Sequence, residues 1–194
     1  MLDTDQWNDH YAQGKNFRPV TEQEVELLAG HLGPGAGRRA LDLGCGTGEY
    51  AAVLHGLGFT TTGADFSKVA VTTAQDRNQD RDGLDFQLLD INRGGLSLLP
   101  AAGYHLVTFR LVLPFVDLVP TIACARNLLV PGGRLLVTTP VTERQTPGYR
   151  SSGLPTADID LLLSFGWAAV TEYPLDGLLC LLLTTHPVPE ATSR

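Results

Sequence analysis

The chain has 194 residues, 43% of them apolar, and its 14 Lys and Arg stand against 21 Asp and Glu for a formal net charge of −7. That length suits one domain, and a chain of this size buries enough surface to form a core without disulfides or metal. The apolar share excludes bulk disorder, and the negative balance denies the chain the broad positive field that a nucleic acid partner requires.

In chain order, Trp7-Asn8-Asp9-His10-Tyr11 begins an aromatic lead-in that continues to Phe17 and Arg18. Thr21-Glu22-Gln23-Glu24 is a capping box, and it predicts a helix with Val25, Leu28 and Leu32 on one face. Gly33-Pro34-Gly35 stops that helix. A short apolar strand over 40–43 runs into the turn Gly44-Cys45-Gly46-Thr47-Gly48, and a helix over 47–57 ends at Gly58. The next strand, 59–64, stops at Asp65, and a helix over 67–77 follows. A third strand over 84–89 ends at Asp90, and a fourth occupies 106–109. A helix over 117–129 meets Val130-Pro131-Gly132-Gly133, which leads into a strand over 134–139. The polar stretch 140–155 reads as a long loop, and a helix over 156–165 precedes two strands at 167–173 and 178–184. Pro174-Leu175-Asp176-Gly177 between them predicts an antiparallel hairpin. Strands alternating with helices predict an α/β fold on a mostly parallel sheet.

The first residues hold no charged segment followed by an apolar run, so no secretory signal is read. The longest apolar stretch, 177–183, falls far short of the roughly 20 residues that span a membrane. Cys45, Cys124 and Cys180 form no C-x-x-C pair, which supports neither a disulfide framework nor a metal site. The expectation is a cytoplasmic protein with reduced thiols, no membrane partner and no metal.

The chemistry concentrates in Leu41-Asp42-Leu43-Gly44-Cys45-Gly46-Thr47-Gly48. Glycines at a strand-to-helix turn let a ligand approach the backbone, and the helix N-terminus behind them favours an anionic group. Dinucleotide sites usually read G-x-G-x-x-G and lack an acid two residues before the first glycine. Asp65 and Asp90 end the next two strands. An acid in the first of these places can accept both hydroxyls of a ribose. The second can accept from an exocyclic amine, with Phe66 and Ile91 as apolar walls for a flat base. Any one such acid could be a helix cap, but three in register after successive strands point to a nucleoside ligand.

From Trp7 to Thr185 the sequence resembles the class I S-adenosylmethionine-dependent methyltransferases, above all in 41–48, Asp65, Asp90 and Leu129-Val130-Pro131-Gly132-Gly133-Arg134-Leu135. The resemblance implies a Rossmann-like seven-stranded sheet in the order 3-2-1-4-5-7-6, strand seven antiparallel, with helices on both faces. It implies S-adenosyl-L-methionine as cofactor and S-adenosyl-L-homocysteine as product. Gly44, Cys45, Gly46 and Gly48 would lie at the methionine portion, Asp65 at the ribose and Asp90 at the adenine amine. Asp42 would reach the methionine amino group through water or loop amides. In small-molecule methyltransferases an aromatic of the lead-in closes over the cofactor. Tyr11 is the candidate here, with Arg18 for the methionine carboxylate and Trp7 and Phe17 as lid aromatics. The alternative for this stretch is a plain amphipathic segment packed on the sheet. Residues 1–33 would then be a lid or helix segment, and 141–155 a substrate-side loop, of a single domain spanning 1–194.

The fourth strand ends Thr108-Phe109-Arg110-Leu111 and lacks the Asn/Asp-Pro-Pro-aromatic tetrad that holds nucleobase amines. No Pro-Cys pair offers a nucleophile toward pyrimidines either, so a small-molecule acceptor is expected rather than nucleic acid. His105 stands where many relatives carry an acid. In this fold the carboxyl ends of strands four and five face the methyl group. Leu113, Phe115 and Tyr149 should therefore line the acceptor pocket, with Trp7 and Phe17. Arg110 is assigned to the cofactor and, with Arg144 and Arg150, could also pair with an anionic acceptor. His10, beside the lid, is the candidate base, needed only if the acceptor arrives protonated. Two other classes stay open: a non-catalytic cofactor-binding partner or sensor of this fold, and a nicotinamide-dependent oxidoreductase. The second lacks a Tyr-x-x-x-Lys pair.

Overall fold

The computed structural model describes residues 4–145 and 152–187. Its seven strands are β1 (Arg39–Leu43), β2 (Thr60–Asp65), β3 (Leu84–Leu88), β4 (Tyr104–Arg110), β5 (Leu129–Thr139), β6 (Ala169–Leu175) and β7 (Leu178–Thr184). They form one sheet in the order β3-β2-β1-β4-β5-β7-β6. The pairings from β3 through β5 are parallel, and β7 runs antiparallel to both β5 and β6. The Rossmann-like order expected from the sequence is the order observed.

Side chains alternate across the sheet and serve a core on each face. Leu41, Val107 and Leu135 pack on one face with α5 (Leu118–Leu128) and α6 (Thr156–Leu163). Their neighbours Ala40, Leu106 and Leu136 pack on the other, with α2 (Glu22–Leu32) and α3 (Glu49–Gly56). Strands covered on both faces read as continuous apolar runs, which is why β7 is Leu-rich throughout and buried along nearly its whole length. A third cluster joins Val71 and Ala74 of α4 (Lys68–Asn78) to Leu84 and Phe86 of β3.

Local chemistry sets the boundaries. Thr21 caps α2 as predicted, accepting from the Glu24 amide at 3.2 Å. Ser67 does the same for α4, accepting from the Ala70 amide. Gly48, at φ +85°, holds α3 back to Glu49, later than the predicted start. β4 extends past 106–109 at both ends. β5 starts early, because Leu129 already pairs with Tyr104, and residues 130–133 bulge out before Arg134 pairs with Leu106. The hairpin loop is shorter than expected. Pro174 and Leu175 stay in the ladder, and Asp176 (φ 43°) with Gly177 (φ 75°) makes a two-residue turn of the mirror-image kind.

The lead-in contains a helix, α1 (Thr4–Ala12), whose bounds the sequence did not mark within the stretch 1–33 expected to be a lid or helix segment. Trp7 is its sole buried side chain, so no apolar period betrays it. Among the described residues, no helix is long and apolar enough to cross a membrane and no cluster of acids, His and Cys could hold a metal ion.

Candidate active site

A cavity of about 300 Å³ opens at the carboxyl ends of β1 to β4, beside the point where the strand order reverses. In an open α/β sheet this crevice is where ligands bind, and the volume sits at the lower end for small-molecule pockets.

The floor is made by the turn after β1. The amides of Gly44 and Cys45 both donate to the Ala64 carbonyl, at 2.8 and 3.1 Å, and pin the turn to β2. Gly46 takes φ +52° and donates its amide to Asp65 Oδ2 at 2.9 Å, while the Ser67 amide donates to Asp65 Oδ1 at 2.9 Å. A Cβ on Gly46 would come within 3.1 Å of the Tyr11 hydroxyl, so the absent side chain is what lets α1 close over the turn. Burial raises the Asp65 carboxyl above its ordinary value, and the amide bonds from Ser67, Gly46 and Phe66 oppose that rise. Asp90 caps the short 3-10 turn Ile91–Arg93, accepting from the Asn92 amide at 3.0 Å.

Asp42 differs from these two. It is 1% exposed, and Thr108 Oγ1 donates to its Oδ1 at 2.7 Å. Its Oδ2 is buried without a partner while the residue lines the cavity. Burial pushes this carboxyl up to about 7, with the Thr108 bond and the Arg110 charge working against the rise. A buried carboxylate oxygen with nothing to accept from is costly, and a cationic donor delivered by a ligand removes that cost.

The roof combines α1 with the strap 16–20. Trp7 and Tyr11 stack with centroids 5.7 Å apart, and Phe115 meets Trp7 edge-on at 5.9 Å. Phe17 closes on both Trp7 and Phe115, at 6.1 and 6.2 Å. Ser67 Oγ donates to Asn8 Oδ1 at 2.6 Å and fastens α1 to the start of α4.

Most of the predicted site residues converge here. Trp7, Tyr11, Phe17, Arg18, Asp42 and Gly44 line the cavity, as do Cys45, Gly46, Asp65, Phe66 and Asp90, with Ile91, Arg110 and Phe115 beside them. Three stand elsewhere. Leu113 is 2% exposed and belongs to the core, because the 3-10 turn Leu113–Phe115 points it inward and Phe115 toward the cavity. Gly48 faces away from the cavity, and a Cβ there would press on Phe86 and Ala74 within 3 Å. Its role is to seat α3 against β3 and α4. His10 packs edge-on against Trp7 and Tyr11, with ring centroids 5.4 Å from each, and is not part of the lining. Burial and the Lys15 charge lower its pKa. Tyr149 and Arg150 lie outside the described residues. Arg144 ends the 3-10 turn Thr142–Arg144 and is not part of the lining.

The three arginines of the described lining all have partners, and Arg93 Nε lies 3.4 Å from Asp90 Oδ2. Arg18 Nη2 is 2.7 Å from Asp176 Oδ2. Arg110 grips Glu24 with two bonds, Nε to Oε1 at 2.8 Å and Nη2 to Oε2 at 2.9 Å. Sequence reasoning missed Glu24, Glu49 and Tyr50. The available signal for Glu24 was its place on the stripe with Leu28 and Leu32, where an acid on a buried face needs a cation.

A methyltransferase-domain family model matches residues 34–160. The chain is 28% identical over 134 residues to a ubiquinone biosynthesis O-methyltransferase of Nitrosococcus oceani, covering 69% of this chain and 56% of that protein. It is 31% identical over 173 residues to a ribosomal protein L11 methyltransferase of Ralstonia pickettii, covering 88% and 50%. The chain spans about half the length of the curated relatives it matches. Among solved structures, Haemonchus contortus phosphoethanolamine N-methyltransferase 2, in complex with phosphomonomethylethanolamine and S-adenosylhomocysteine, superposes with a TM-score of 0.72 at 14% identity. That match covers 96% of this chain and 61% of the other, and it speaks to the fold.

Proposed function

The chain belongs to the methyltransferase-domain family, and from that premise we propose that it transfers a methyl group from S-adenosylmethionine to a small-molecule acceptor. The observation that carries this reading is the unpartnered, buried Oδ2 of Asp42, a residue of the cavity lining, with Asp65 at the end of β2 and Asp90 just past the end of β3 lining the same cavity.

The residues present fit that cofactor. Asp42 Oδ2 would accept from the methionine ammonium, directly or through one water. Asp65 would take the ribose hydroxyls with the lone pairs its two amide partners leave free. Asp90 would meet the adenine amine, with Phe66 and Ile91 flanking the base. When bound, the cofactor supplies a methyl carbon on a sulfonium sulfur, activated toward displacement.

The chain's own contribution is position. Trp7, Phe17 and Phe115 would shield the apolar end from water, and the floor holds Asp65 and Asp90 on backbone amides and Asp42 on the Thr108 hydroxyl. Holding a nucleophile in line contributes several kcal/mol, up to roughly 7–11 in the best cases. His10 stands outside the cavity, so this reading assigns it no proton transfer. An acceptor that arrives as a ready nucleophile needs none.

Isothermal titration with S-adenosylmethionine, S-adenosylhomocysteine and NADH tests the reading. Micromolar binding of the first two and none of NADH is expected, whereas binding of NADH alone would transfer the chain to the oxidoreductases. The L11 methyltransferase relatives favour one rival, a protein acceptor. Radiolabelled cofactor offered with a small-molecule extract and with ribosomal protein separates the two, since label entering protein alone overturns the small-molecule assignment.

A further inference from the structure

The strap 16–20 is held from below by groups that the cofactor reading leaves unused. Arg110 makes four hydrogen bonds with its guanidinium. Beyond the two bonds to Glu24, Nη1 donates to the Arg18 carbonyl at 2.8 Å and Nη2 to the Pro19 carbonyl at 3.1 Å. Both side chains of the pair are nearly buried, 10% and 4% exposed. Glu49, in the first turn of α3, grips the same strap independently. Its Oε1 accepts from the Val20 amide at 3.3 Å and its Oε2 from Asn16 Nδ2 at 3.1 Å.

These anchors lie at one end of the cavity. Across the sheet the order is β3, β2, β1, β4, so Asp90 and Asp65 mark one side and Asp42 and Arg110 the other. On that second side the Arg110 guanidinium lies over the Tyr50 ring, 5.5 Å from its centroid. Tyr50 is 4% exposed and lines the cavity, and its hydroxyl is buried without a partner, as Asp42 Oδ2 is. A free donor and a free acceptor therefore share this end beneath the strap, which suits a zwitterion: a carboxylate for Tyr50 and an ammonium for Asp42.

We infer that Arg110, seated by Glu24, and Glu49 are positioning residues that hold the strap 16–20 as the roof of a closed amino-acid-head subsite, with the Tyr50 hydroxyl as its donor. The inference rests on the cofactor reading and concerns one end of it only. The adenosine end, built on β2 and β3, does not depend on the strap.

Two ligands that differ in the head group test this: S-adenosylhomocysteine and 5′-methylthioadenosine, which keeps the adenosine and thioether but has no amino acid. Arg110→Lys preserves the charge opposite Glu24 but loses the fork that reaches two carbonyls. Glu49→Gln keeps the shape and replaces one acceptor by a donor, without disturbing the buried pair. Titration of the full chain should show S-adenosylhomocysteine weakened about tenfold in Arg110→Lys and about threefold in Glu49→Gln. Methylthioadenosine should stay within twofold of wild type, and Tyr50→Phe should reproduce the selective loss. Equal weakening of both ligands, or no change in either, overturns the inference while leaving the cofactor reading intact. A wild-type chain that binds neither ligand overturns both.

Discussion

On the cavity floor, Asp65 takes its amide partners from positions 46 and 67, within one strand-turn-helix unit and the next. In the roof, Arg18 reaches a partner 158 positions away and Arg110 holds carbonyls more than 90 positions away. The floor is backbone fixed by strand ends and positive-φ glycines. The roof is side chains borrowed from β4, α3 and the β6–β7 turn. A floor of this kind should tolerate little change, and a roof tied at several points should lose affinity by degrees.

The floor should break first. Gly46→Val places a β-branched residue at φ +52° and against the Tyr11 hydroxyl. S-adenosylhomocysteine binding should fall more than about 100-fold by calorimetry, because strain and occlusion act together. Far-UV circular dichroism should still report the native helix and strand content. Asp65→Ala removes a carboxylate that organises two amides and, on the present reading, the ribose contact. A loss of about 1–3 kcal/mol in cofactor affinity is expected, and an unchanged isotherm would end the ribose assignment.

Asp42 sharpens the contrast through pH. Its folded carboxyl titrates near 7, against about 3.9 in an unfolded chain. Between those values the folded chain keeps a proton that the unfolded chain has released. Its contribution to stability is thus fully present below about pH 4 and is lost as pH rises to 7. Asp65, also raised by burial, adds in the same sense. Ligand binding runs the other way, since an ammonium needs the ionised carboxylate, and affinity should climb as pH passes through 7. Asp42→Asn keeps an acceptor for Thr108 and should weaken binding about tenfold, a charged hydrogen bond's worth. Denaturation midpoints and isotherms from pH 5 to 8 should both lose part of their slope in that variant.

The smallest effect belongs to the outermost tie of the roof. Asp176 is exposed, and a surface ion pair contributes about 0–1 kcal/mol. Asp176→Asn suits the left-handed turn position and should shift the midpoint by no more than about 4 °C.

The same contrast explains what could be read from the sequence. The strand order followed from the resemblance carried by residues 41–48 and by Asp65 and Asp90. Apart from the early start of β5 and the short 3-10 turns, each strand and α-helix past Thr21 was visible within a few residues, because caps such as Thr21 and Ser67 and stops such as Gly58 act locally. Asp42, Gly46, Asp65 and Asp90 could be named because each sits at a fixed offset from a strand end. Leu113 could not be told from Phe115, since a single 3-10 turn sends neighbours in opposite directions. The role of Gly48 was hidden because the side chain it must avoid, Phe86, comes from another strand. Arg110 looked like a ligand contact until Glu24 emerged opposite it, and no local pattern connects positions 86 residues apart.

The two-residue turn at Asp176 and Gly177 has a consequence in time. As the chain leaves the ribosome from its N-terminus, β1 to β4 and every described residue lining the cavity have been made by Val116. The half-sheet still lacks β5 and β7, and the strap still lacks Arg18's partner. Because β7 lies between β5 and β6, the β6–β7 hairpin is the part that completes the sheet. A nascent chain arrested just short of Asp176 would carry every described cavity residue with one tie of the strap missing, so the β6–β7 turn adds a fastening to the roof after the floor has been made.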